Sequence, residues 1–250
     1  MPLFDQTPDA PEPFGFKILW FAVKAADPTS VLEALELGEG TPANWASGIA
    51  ASYENTPSGD SWAFVSPPID GWILVVGASL PYPTIEAHND TGKKFDKLLS
   101  RLMKRFDDVQ FFGSHRVVGF VTWARALNGA PKRIFGFADG AVLANVGSQT
   151  AEEAKLGFLD LSGLSPSDAA DKMFKAAEKQ DEQRDALVAT GLSRSEARAR
   201  VLQKGRYGLP NETDVVDLAA LWSINPLNLS EQDHPSDLGL AAPLPGNLAQ

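Results

Sequence analysis

The stretch VQFFGSHRVVGFVTWARALNGAPKRIFGFADGAVLANVG, residues 109–147, decides the fold. Four short runs, VQFFGSH, VVGFVTWARAL, RIFGFA and AVLANVG, are rich in aromatic and β-branched residues. Gly, Asn128-Gly129 and Asp139-Gly140 separate them, and such pairs accept the positive φ angles of two-residue hairpin turns. The spacing predicts an antiparallel meander. If 109–115 is a strand, Val109, Phe111, Gly113 and His115 share one face and Arg116 points to the other. Ser114 and His115 then cannot pair as nucleophile and base. His115 and Arg116 form the one His-Arg pair in a chain of three histidines, so they are weighed both as chemistry and as structure. The structural reading has His115 donating to a backbone carbonyl near a strand end and Arg116 pairing with a carboxylate. Gly113 and Gly119 bracket the pair and predict a bend or a close backbone approach.

Upstream, GFKILWFAVKA is apolar on both parities, which predicts a central strand covered on both faces. DPTSVLEALEL reads as a helix with Asp27 as N-cap and Pro28 in its first turn, burying Val31, Leu32 and Leu35. TPANWASGIAAS reads as a second helix begun by Thr41-Pro42 and burying Trp45 and Ile49. SWAFVSPPIDGWILVVGASLP predicts a hairpin, because Pro67-Pro68 and Asp70-Gly71 turn the chain between two β-rich runs. TGKKFDKLLSRLMKRF is an amphipathic helix with Phe95, Leu98, Leu99, Leu102 and Phe106 on one stripe and a basic opposite face.

Past residue 160 the chain becomes helical and charged. Capping signals stand at Thr150/Glu153, Ser165-Pro166-Ser167-Asp168 and Ser193/Glu196. The first of the late helices carries Ala170, Met173, Phe174 and Ala177 on its stripe; the last carries Val215, Leu218, Ala219 and Trp222. The expected organisation is a flexible arm over 1–14, an α+β core over 15–160, a helical extension packed on it over 161–229, and an irregular tail over 230–250. The fold class is α+β, an antiparallel sheet flanked by helices.

The bulk numbers constrain function. Twenty-two basic against thirty-two acidic residues give a net charge of −10. That disfavours a phosphate backbone as ligand except at a segregated basic patch, and suits a basic protein partner. The best basic segment is SRSEARARVLQKGRY, with Arg194, Arg198, Arg200, Lys204 and Arg206. The absence of cysteine excludes disulfides, thiol catalysis and cysteine-bound zinc, and fits a cytoplasmic location. The longest apolar run, WILVVGASL, is about half a membrane span, so no membrane association is expected. Phosphate-binding glycine loops, H-E-x-x-H and G-x-S-x-G are absent, and His88, His115 and His234 stand apart. No cofactor, metal or catalytic residue is therefore expected. His115, Arg116, Trp72 and Trp123 are the candidates for a structural or partner-binding role.

Several segments occur together in a recognisable order: W-x-x-G at 45–48, V-x-P-P-x-x-G-W at 65–72, Q-x-F-x-x-H-R-V-V at 110–118 and W-A-R-A-x-x-G at 123–129. In these the chain resembles a family of uncharacterised bacterial proteins, many of them actinobacterial, over most of 17–160 and around 213–229. The charged helices near 165–205 depart from that pattern. Relatives of this kind resemble accompaniments of secreted polymorphic toxins. The resemblance implies a non-enzymatic immunity protein whose partner is a cognate toxin encoded by an adjacent gene. Two other readings stay open: an enzyme with a pocket near His115 and Arg116, and a nucleic-acid-binding adaptor using the basic segment 194–206.

Overall fold

Three turns set the antiparallel geometry. Asp70-Gly71, Asn128-Gly129 and Asp139-Gly140 each place two successive residues at positive φ: 49° and 80°, 50° and 75°, 47° and 85°. Two left-handed residues in succession make a turn whose twist matches that of the flanking strands, so each joins adjacent antiparallel neighbours. The computed structural model describes residues 3–54, 61–85, 90–202, 209–231, 237–246 and 248.

In chain order the strands are β1 (Ile18–Lys24), β2 (Thr41–Ala43), β3 (Ser61–Val65), β4 (Trp72–Val76), β5 (Asp108–His115), β6 (Phe120–Leu127), β7 (Ala130–Ala138), β8 (Ala141–Gly147) and β9 (Gly239–Leu244). The helices are α1 (Pro28–Leu35), α2 (Trp45–Tyr53), α3 (Thr91–Met103), α4 (Ala151–Lys155), α5 (Pro166–Ala189), α6 (Arg194–Leu202) and α7 (Glu212–Trp222). All nine strands join one sheet in the order β2-β9-β3-β4-β1-β5-β6-β7-β8, and every pairing is antiparallel. The α+β class and the meander over β5–β8 are as the sequence predicts.

β1 lies at the centre, hydrogen-bonded to β4 and β5, which is why its run is apolar on both parities. One face of the sheet carries Trp20, Phe64, Leu74 and Phe112 beneath α2, α5 and α7. The other carries Phe21, Val75, Phe111 and Ala124 beneath α1 and α3. Aromatic contacts knit each layer: Trp20 stacks on Phe112 at 5.2 Å on the first face, and Phe95 of α3 meets Phe111 edge-on at 5.0 Å on the second. Arg101 of α3 and Arg105 just past its end, expected to face outward, instead reach the C-terminal end of α1. There Arg101 donates to the Leu35 carbonyl and pairs with Glu36, while Arg105 pairs with Glu33 at 2.9 Å.

Three expectations need correction. Thr41-Pro42 does not begin a helix; it forms edge strand β2, where the missing N–H of Pro42 is tolerated. The helix starts at Trp45 with Asn44 as N-cap, its side chain accepting from the Ser47 N–H. The N-terminal arm makes defined contacts with the body. The Asp9 carboxylate accepts from the Trp45 and Ala46 N–H groups at 2.7 and 3.0 Å, and Phe4 packs edge-on against Trp62. The tail is not wholly irregular, because Gly239–Leu244 inserts as β9 between β2 and β3. Pro243 fits there because β2 pairs only with Gly239–Ala241, leaving the far side of Pro243 without a strand neighbour. Phe174 on α5 is half exposed, with Ala169 and Met173 the buried positions of that helix. His88, His234, Lys204, Arg206 and Tyr207 lie outside the described residues.

Candidate functional site

β5 ends at His115, paired with Phe120 of β6, and the chain turns through a 3-10 segment at Arg116–Val118. Arg116 is therefore not on the opposite face of a strand; it has left the strand. Gly119 closes the turn at φ 57°, with its N–H donating to the Arg116 carbonyl at 3.1 Å. A Cβ added at Gly119 would meet no described heavy atom within 4 Å, so what glycine supplies here is conformational, not steric. The Asp139 N–H donates to the Val118 carbonyl at 3.2 Å, tying this turn to the β7–β8 turn. Val117 and Val118 stand at the tip, 76% and 51% exposed. The exposed Arg116 guanidinium faces the half-buried Glu212 carboxylate at 3.7 Å on the α7 side.

A cleft of about 530 Å³ opens beside this turn, where the sheet runs beyond the cover of α3. Leu19 forms its floor opposite Gly113, where an added Cβ would come within 2.8 Å of the Leu19 side chain. Gly113 thus permits the close approach that its position suggested. Tyr82 and Phe120 meet edge-on at 4.9 Å in one wall. Tyr53, the last residue of α2, donates its hydroxyl to the Phe16 carbonyl at 3.0 Å, and burial pushes its hydroxyl pKa up. Ser114 is buried and donates to the Gly15 carbonyl at 3.3 Å, so its hydroxyl is committed to the backbone rather than to His115. Lys17 lines the cleft in a left-handed conformation, φ 56°, which costs about 1–2 kcal/mol for a residue with a Cβ.

The other candidates are elsewhere. Trp72 opens β4 at the opposite end of the sheet, buried, exchanging backbone hydrogen bonds with Ile69 across the Asp70-Gly71 turn. Trp123 is in the core, stacked between Phe135 at 4.5 Å and Phe158 at 5.1 Å. Its indole N–H donates to Glu153 Oε1 at 2.8 Å. The same oxygen accepts from Arg133 Nε at 2.9 Å, and the pair is almost fully buried. Arg133 also donates to Asn145 Oδ1 and the Val146 carbonyl. Of the four predicted residues, only His115 and Arg116 share a surface.

A second depression lies among α5, α6 and α7, about 310 Å³, lined by Gln180, Arg184, Arg198 and Asp214. Its charges have local duties. Arg184 pairs with Asp181 at 2.6 Å, and Asp214 closes the α7 capping box by accepting from the Asn211 N–H. Arg194, Arg198 and Arg200 are exposed on α6. Among the described residues no three His, Asp or Glu side chains converge as a metal site. No helix among them is long and apolar enough to cross a membrane.

Lys17, Tyr53 and Tyr82 escaped sequence reasoning because no motif joins them; three separate loops and helix ends bring them together. Arg133 and Glu153 left separate signals, an arginine at the head of the apolar run RIFGFA and a capping glutamate, with nothing to join them. Compared with known proteins, the chain matches no family model, no curated protein and no solved structure.

Proposed function

We propose that this chain is a non-enzymatic, cytoplasmic immunity protein that binds a cognate secreted toxin and occludes its active site. The observation that carries this reading is the Arg116–Val118 turn. It holds two exposed valines at the junction of two central strands and is tied by a hydrogen bond to the neighbouring hairpin. An apolar tip on a rigid sheet loses little conformational freedom on docking, which favours a protein-binding role. The Ser114 hydroxyl bonded to a backbone carbonyl speaks against a hydrolytic role for the Ser-His neighbours. A net charge of −10 would steer a basic toxin toward the molecule.

Co-expression with the product of the adjacent gene tests it. The wild-type chain is expected to protect the host cell and to co-purify with that product. Val117→Asp/Val118→Asp should weaken the complex by roughly thirtyfold or more, as for a hot spot, while leaving the melting temperature unchanged. Failure of the wild-type chain to protect would overturn the reading.

A further inference from the structure

We propose that the cleft behind the His115 turn is a binding site for a small organic monocarboxylate with a planar apolar body. This inference is independent of the partner reading. It rests on the cleft's volume, its charge and the way its one lysine is held.

At about 530 Å³ the cleft is in the range of ordinary small-molecule sites. Its floor and walls are mostly apolar, with Leu19 below and the Tyr82–Phe120 pair to one side. Such walls take a flat hydrocarbon body, with rings stacking or meeting edge-on. Two of the cleft's hydroxyls, those of Ser114 and Tyr53, are spent on the Gly15 and Phe16 carbonyls. Among the described lining residues Lys17 and His115 carry the ionisable nitrogens, and none is a carboxylate. In a chain with ten more acidic than basic residues, a cleft with that lining selects for a negative ligand. A single lysine suits one carboxylate. A phosphate ester would call for an array of donors that these walls lack.

Lys17 is also held in place. The two carbonyls that precede it, those of Gly15 and Phe16, are bonded by Ser114 and Tyr53, both of which line the cleft. These bonds fix the left-handed conformation that a lysine would not otherwise choose. Strained residues over-determined by their surroundings gather at binding sites, and here the strained residue carries the cleft's fixed positive charge. Among the described residues Lys17 has no ion-pair partner, so its ammonium is open to a ligand.

The test uses the full chain and a matched set of probes: 3-phenylpropionate, phenylacetate and hexanoate against the corresponding amides. Binding is followed by calorimetry and by backbone amide NMR shifts. The aryl carboxylates should bind saturably, with shifts concentrated at Lys17, Leu19, Tyr82 and His115. Their amides should bind about tenfold more weakly, and hexanoate should fall below the aryl acids. Lys17→Met should abolish the acid-over-amide preference. Lys17→Gly, which relieves the left-handed conformation, should abolish it too without lowering the melting temperature, separating ligand binding from folding. Equal binding of acids and amides, shifts centred elsewhere, or no saturable binding by any acid in the set overturns the proposal. None of these outcomes bears on protection from a toxin, which is read separately.

Discussion

Glu153 shows how much one buried side chain can organise. Its Oε1 accepts from Trp123 Nε1 and Arg133 Nε, while its Oε2 accepts from the Thr150 N–H and completes the capping box of α4. Both oxygens are engaged, and the charge is met by a guanidinium as buried as itself. Removing one partner leaves an uncompensated charge, so Glu153→Ala should cost about 3–5 kcal/mol in urea unfolding. Glu153→Gln keeps one accepting oxygen and should cost less. A double-mutant cycle with Arg133→Met should return a favourable coupling, because the two single losses share the same broken pair. The contrast with Arg116 is instructive. Its guanidinium is solvent-exposed and only loosely paired with Glu212 at 3.7 Å, so Arg116→Ala should change stability by no more than about 0.5 kcal/mol. In the sequence, the His-Arg pair drew notice and Glu153 counted only as a cap. Local composition marks unusual neighbours, whereas burial and pairing arise from residues twenty or thirty positions away.

At the scale of elements, the helix termini were readable and the strand edges were not. Asp27, Thr150, Ser165 and Ser193 cap where the sequence places them, since a cap needs only its own next three residues. The start of α2 was misread because its cap is shared. Asn44 bonds the first turn, but the Asp9 carboxylate, far back in the chain, takes the Trp45 and Ala46 N–H groups. Asp9→Ala should therefore destabilise the fold by about 1 kcal/mol, as an N-cap does, although it lies in a segment without regular structure. Deleting residues 1–10 should cost at least as much, measured by the same urea midpoint. A second element-level contact responds to pH. The Ser162 side chain and backbone N–H bond the Asp160 carboxylate and hold its pKa below the usual carboxylate range. Ser162 in turn receives the Gln149 N–H. A carboxylate with a depressed folded pKa contributes stability that is complete above its ordinary pKa and is lost as pH falls through the folded value. Asp160→Asn should flatten the stability profile across that acidic window and leave its slope at neutral pH unchanged.

For the whole molecule, the antiparallel class and the central place of β1 could be read from turn pairs and two-sided apolarity, because both are local patterns. The sheet's other half could not be completed that way. β9 pairs with β2 and β3, which lie far back in the chain, and its run GLAAPL carries neither alternation nor a hairpin turn to announce it. Its glycine is nonetheless demanded by the packing. A Cβ at Gly239 would fall within 2.5 Å of both the Phe64 ring and the Val65 carbonyl oxygen. The C-terminal segment therefore stitches the sheet rather than decorating it. Among the described residues β2 has no other strand partner, and without β9 the full length of β3 becomes an open edge. That edge would carry Ala63, Phe64 and Val65, all fully buried in the native sheet, beside unpaired backbone donors and acceptors. A chain ending at residue 237 should thus lose its cooperative thermal transition or aggregate, while Gly239→Val in the full chain should show a milder form of the same defect. Adding a synthetic peptide of residues 237–250 should restore soluble, cooperatively melting protein by supplying the missing strand to the exposed edge. A truncated chain that melts within a few degrees of the full one would show instead that β4 and β1 hold β3 in place without its outer neighbour.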